Sequence, residues 1–175
     1  MNIKIFAVTA LLAFSSESQS ANPPTFKISI DQLIETYNAL ASKVDGMEKL
    51  PPKSKMEKGA ENEQSLTFQH YVLPNAVVTI SIDKQNGHPY AMGVLSKSEN
   101  KSEELDLFNV RSLVGTTIFG PGSEAGELEK LCVDIYATGH PGALQKTIKK
   151  FTVSCGMNDG LWIALITKAT FEQSK

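Results

Sequence analysis

Histidine, serine and paired carboxylates are the residue types here that could do chemistry. His70, His88 and His140 are the only histidines. Metal ligands or a general base would need spacing that makes them converge, such as H-x-x-x-H on one helix. Instead they fall on separate segments. His70 alternates with Leu66, Phe68 and Val72 and reads as a half-buried structural residue. His88 follows Asn86-Gly87 in a turn, and His140 precedes Pro141 in a helix-ending turn. Ser123 closes the run FGPGS at the start of a helical stretch. Outward N–H groups there can hold an anion. Yet neither G-x-S-x-G nor G-x-x-x-x-G-K-[ST] is present, and helix capping accounts for the serine. Glu103 and Glu104, and Glu124, Glu127 and Glu129, stand in first turns of helical segments, where carboxylates complement the helix dipole. The sequence therefore assigns no catalytic residue, no cofactor site and no metal ligand.

The two cysteines carry a different message. Cys132 and Cys155 are the whole cysteine content, and their spacing is far from the C-x-x-C of redox-active pairs. An even pair in an exported chain predicts a disulfide. It would close a loop of roughly 24 residues and contribute on the order of 3 kcal/mol by the chain-entropy argument. Export is itself legible. Lys4, the apolar run Ile5 to Phe14, and the small polar stretch Ser15 to Ala21 read as a cleavable signal peptide over residues 1–21. The apolar run is about half the roughly 20 residues that a membrane span needs. A periplasmic or secreted location follows as the expectation, with no membrane span in the mature chain. About 154 residues then remain, enough for one domain to bury a core without metal. Apolar residues make up 41% and charged residues 21%, which suits a globular chain. The formal net charge of −2 gives no basic surplus, which argues against nucleic acid and anionic membranes as partners.

The elements that would position these residues read as α+β. Ser29 and Gln32 form a capping box, and Ile30, Leu33, Ile34, Tyr37, Ala41 and Val44 repeat at helical spacing. A helix is predicted from Ile30 to about Val44, ending at Gly46. Residues 45–65 hold Pro51, Pro52 and many charges, and read as a mobile polar loop. Alternation then predicts strands at Leu66 to Leu73, Ala76 to Asp83 and Tyr90 to Lys97, with turns at Pro74-Asn75 and Asn86-Gly87. Helices follow from about Glu103 to Thr116, with a stripe of Leu107, Val110, Leu113 and Val114, and from Ser123 to Gly139. In the second, Leu128, Leu131, Cys132, Ile135 and Tyr136 share a face. Strands at Ile148 to Cys155 and Leu161 to Lys168 complete the chain, and Trp162 in the last is expected in the core. The expectation is an antiparallel sheet of about five strands in the order α-β-β-β-α-α-β-β, with helices packed on one face, in a single domain over 22–175. The element order resembles that of type III secretion chaperones, which bind partner segments. Those chaperones are cytoplasmic, so the resemblance extends to element order and not to function.

With the chemistry missing, the expectation is a small exported non-enzymatic protein that binds another protein, as an inhibitor, immunity or assembly factor. A sheet edge or the 45–65 loop would be the contact surface, and Tyr71, Tyr90 and Phe119 could form an exposed aromatic patch. A carrier of a small apolar molecule or lipid, with a pocket between sheet and helices, is the alternative. A secreted hydrolase comes third and requires a histidine to meet a serine or carboxylate in a cleft.

Overall fold

The computed structural model describes residues 25–97, 101–138, 142–158 and 160–168. The expected signal peptide and His140 lie outside the described residues. Helix α1 spans Ile30–Ala41. Its capping box is formed as the sequence predicts: Gln32 N–H donates to Ser29 Oγ at 3.1 Å, and Ser29 N–H donates to Gln32 Oε1 at 2.9 Å. The helix stops at Ala41, earlier than the periodicity suggested, and single turns carry the chain to Gly46 at φ 75°.

The strands are β1 (Glu57–Glu61), β2 (Ser65–Leu73), β3 (Ala76–Asp83), β4 (Pro89–Ser96), β5 (Ala143–Ile148), β6 (Phe151–Asn158) and β7 (Leu161–Lys168). Between β4 and β5 run α2 (Lys101–Phe119) and α3 (Glu127–Thr138). Among the described residues one sheet holds all seven strands in the order β1-β2-β3-β4-β7-β6-β5, with every neighbouring pair antiparallel. The α+β class and the antiparallel sheet stand. The expectation of about five strands in the order α-β-β-β-α-α-β-β does not, because the described order is α-β-β-β-β-α-α-β-β-β.

Both additional strands have a physical reason. β1 lies inside the stretch that reads as a polar loop. It is a short charged edge, Glu-Lys-Gly-Ala-Glu, and it pairs irregularly with β2 between Lys58 and Glu61. Charged, irregular edges discourage pairing with other chains, so no apolar alternation marks them. The approach to β1 is pinned as well: Leu50 and Asn38 exchange two hydrogen bonds, at 2.7 and 2.8 Å, and Leu50 and Met56 are buried. The predicted strand at Ile148 to Cys155 covers most of β6 but only the last residue of β5, whose other residues are exposed or half-buried and carry no core-facing alternation. The turn between the two strands, Lys149-Lys150, places Lys149 at φ 54°. The expected cap at Ser123 is also corrected. A 3-10 turn spans Ser123–Gly126 without a side-chain cap, and α3 starts only at Glu127.

Alternation divides the sheet into two faces. Phe68, Val78, Ile80, Met92, Val94, Ala164, Ile166 and Val153 belong to one set by register, and they join the main core. Leu33 and Tyr37 of α1, Leu107, Val110 and Val114 of α2, and Leu128 and Ile135 of α3 complete that core. Val77, Leu95 and Ile163 point the other way and form a separate small cluster with Tyr71, to which none of the described helices contributes. Cys132 and Cys155 form the expected disulfide, Cα–Cα 5.3 Å, which ties α3 to β6. Helix α2 passes so close to the 3-10 turn that a Cβ at Gly115 would overlap the Ala125 carbonyl. No helix among the described residues is long and apolar enough to cross a membrane.

Candidate functional site

Helices α2 and α3 lie side by side over the sheet and leave an open groove of about 430 Å³ between them. Helix α2 contributes Glu104, Leu105, Phe108 and Arg111, and α3 contributes Glu129, Cys132, Val133 and Tyr136. Each set falls at the i, i+3/i+4, i+7 spacing of one helical stripe. These stripes differ from the ones that face the core: Leu107, Val110 and Val114 on α2, and Leu128, Leu131 and Ile135 on α3. Trp162 of β7 supplies the contribution from the sheet.

The apolar side chains at this groove are left in water. Leu105 is 66% exposed, Tyr136 64%, Val133 50% and Phe108 45%. Met157, the cross-strand partner of Trp162, is 48% exposed. Among the described residues these five are the exposed large hydrophobics; four of them line the groove, and Met157 stands opposite Trp162 in the sheet. The rings of Tyr136 and Trp162 pack at 6.4 Å with a 36° tilt.

Beneath the apolar lining lies a charged network. Arg111 and Glu129 are buried, at 3% and 5% exposure. Arg111 donates to Glu129 through two groups, Nε to Oε2 and an NH2 contact of 3.0 Å to Oε1. Such a two-point pair satisfies a planar guanidinium well. The same guanidinium reaches Glu104 Oε2 at 3.4 Å, and Glu104 keeps part of its surface in water. The pair bridges α2 to α3, and the disulfide anchors α3 to the sheet at Cys132. Together they hold the width of the groove.

The residues singled out by sequence do not assemble elsewhere. His70 sits on β2, where its Nε2 lies 3.8 Å from Glu48. His88 lies in the β3–β4 turn, its Nδ1 3.5 Å from the Ile28 carbonyl. The Ser123 hydroxyl donates to Glu124 at 3.4 Å. Among the described residues no group of three or more His, Cys, Asp or Glu is arranged to hold a metal. Tyr71, Tyr90 and Phe119 do not form a patch. Tyr71 packs on the second apolar cluster, Tyr90 lines a depression of about 30 Å³ beside Ser65 and Ser81, and Phe119, half-buried against the main core, stacks edge-on on Phe151 at 5.2 Å. Glu124 and Glu127 are held below the usual carboxylate range by hydrogen bonds from Lys149 and Lys146 respectively.

Sequence reasoning missed the groove although one signal was present. Helix α2 carries apolar residues at 105 and 108 as well as along its core stripe. A helix apolar beyond one face must bury the surplus against something. Compared with known proteins, the chain matches no family model, no curated protein and no solved structure.

Proposed function

We propose that this is an exported, non-enzymatic binding protein that acts on another protein in the periplasm or outside the cell, by seating an apolar segment of that partner in the α2–α3 groove. An inhibitor, an immunity factor or an assembly factor would each work in this way. The observation that carries the reading is the gathering of four exposed large apolar side chains, Leu105, Phe108, Val133 and Tyr136, around one groove. Clustered exposed apolar surface marks interaction sites, whereas single exposed hydrophobics mean little. Burying such a side chain is worth up to about 1.5–3 kcal/mol. Aromatic residues such as Tyr136, Phe108 and Trp162 are also the types that dominate interface energetics.

A carrier of small apolar molecules is the second reading, favoured by the volume of about 430 Å³, which suits a small ligand. Carrier sites, however, bury roughly 70–90% of the ligand surface. Here the flanking side chains are half to two-thirds exposed, the geometry of a surface that needs a second surface to close it.

The test compares the protein, disulfide intact, with its Leu105→Asp/Tyr136→Asp variant in capture from its native envelope or medium, with mass spectrometry of bound proteins and small molecules. A stoichiometric protein held by the parent and lost by the variant supports the reading. A partner held equally by both removes the groove from it. A lipid or metabolite without a protein moves the assignment to a carrier.

A further inference from the structure

We propose that the segment taken up by the α2–α3 groove carries a basic side chain, which sits against the Glu104 carboxylate with the rings of Phe108, Tyr136 and Trp162 around it. The inference rests on the groove being a docking site and adds the chemistry of what docks there.

The charges at the groove decide the sign of the occupant. Its described lining has two carboxylates, Glu104 and Glu129, and one guanidinium, Arg111. The guanidinium is committed to Glu129 through two hydrogen bonds. Its contact with Glu104 is longer, at 3.4 Å, and Glu104 still faces water. One negative charge is therefore in excess. A purely apolar segment laid over the groove would strip water from Glu104 and return nothing, and burying a charge without a partner is costly. An acidic ligand, such as a fatty acid, would meet a like charge and find Arg111 already occupied. A cation replaces the lost water with an ion pair.

The rings favour the same sign. The face of an aromatic ring is negative, and cations over tryptophan and tyrosine are stabilised most when water is excluded. Three aromatic residues and one partly hydrated carboxylate in a single groove therefore select a side chain with an apolar stem and a cationic head, which describes lysine and arginine.

Trp162 is the only tryptophan of the chain and lines the groove, so its fluorescence reports occupancy directly. Three probes share one decyl chain and differ in head group: decyltrimethylammonium, decyl maltoside and decanoate. Each is titrated well below its micellar concentration into the protein and into Glu104→Gln, whose folding is checked by thermal melting. The expected result is that the ammonium probe binds at least about tenfold more tightly than decanoate, with the maltoside between them, as one close ionic and cation–π contact implies. In Glu104→Gln the gap should shrink several-fold. The parent titrations decide the sign preference even if the variant fails to fold. If the maltoside binds and the ammonium head brings no advantage, or if Glu104→Gln keeps the full gap, the basic-residue inference falls while the groove stands as an apolar site. Preference for decanoate also overturns the inference and favours an acid carrier. No change in Trp162 emission with any probe overturns the inference and the groove together.

Discussion

Arg111 shows how one buried charge can set the shape of a surface. It is almost fully buried and is tied to Glu129 across two helices. Removing one member of a buried pair leaves its partner charged and unsatisfied, at a cost of about 3–5 kcal/mol. Glu129→Ala should therefore destabilise the fold by about 3 kcal/mol, the lower end, because Glu104 remains beside Arg111. Urea unfolding checks this, and a loss under about 1 kcal/mol would mean that the pair does not brace the helices. Tyr37 is the opposite case. It is wholly buried, its burial pushes the phenol well above the ordinary tyrosine range, and its hydroxyl has no hydrogen-bond partner among the described residues. Removing an unsatisfied buried hydroxyl costs nothing in lost bonds. Tyr37→Phe should leave the unfolding midpoint unchanged or raise it, and a clear drop would reveal a partner for that hydroxyl.

Helix α3 is held by ties made outside its own sequence. The disulfide joins it to β6 across 23 residues of sequence. Replacing both cysteines by serine should cost on the order of 3 kcal/mol in denaturant unfolding and loosen the α3 side of the groove. Lys146 of β5 reaches Glu127 at the start of α3 at 2.6 Å. The hydrogen bond from Lys146 lowers the Glu127 pKa from its ordinary 4.5. A carboxyl whose folded pKa is depressed adds stability above its unfolded pKa and loses it as pH falls through the folded one. Lys146→Ala should thus be slightly less stable than the parent at neutral pH, and the two should converge from about pH 4.5 downward. Midpoints measured across that range check it, and a gap that persists well below it would assign the effect to packing. The effect should be small, because both side chains remain partly in water.

The same ties explain which elements could be read from sequence. The capping box at Ser29 and Gln32 is a local signal, and α1 was legible from it. The turn at Asn86-Gly87 was legible for the same reason: Gly87 takes φ 72° and donates to the Asp83 carbonyl at 2.8 Å. β1 has no local signal, since its support is tertiary: the pairing with β2 and an ion pair from Glu61 to Lys84 at 2.7 Å. The β5–β6 turn is hidden because Lys149 adopts a left-handed backbone without the glycine or asparagine that usually marks one.

At the scale of the molecule, one sheet has two unlike faces. One carries the helices and the main core, and the other a small cluster of Val77, Leu95 and Ile163 with Tyr71. The candidate site lies in the outer helical layer, where α2 and α3 part over Trp162. The sequence held its residues but not their meeting. Tyr136 shares a helical spacing with Cys132 and reads as core, yet it stands at the groove mouth, 64% exposed beside Trp162. Only the packing of α2 against α3 separates residues that cover the sheet from residues that line the gap.

The central claim is that this groove, rather than the sheet edge, meets a partner protein. A photo-crosslinking residue in place of Tyr136, compared with one in place of exposed Gln145 on the edge strand β5, tests it in living cells. The account predicts one discrete cross-linked protein from position 136 and none from 145. A protein adduct at 145 with none at 136 would contradict it.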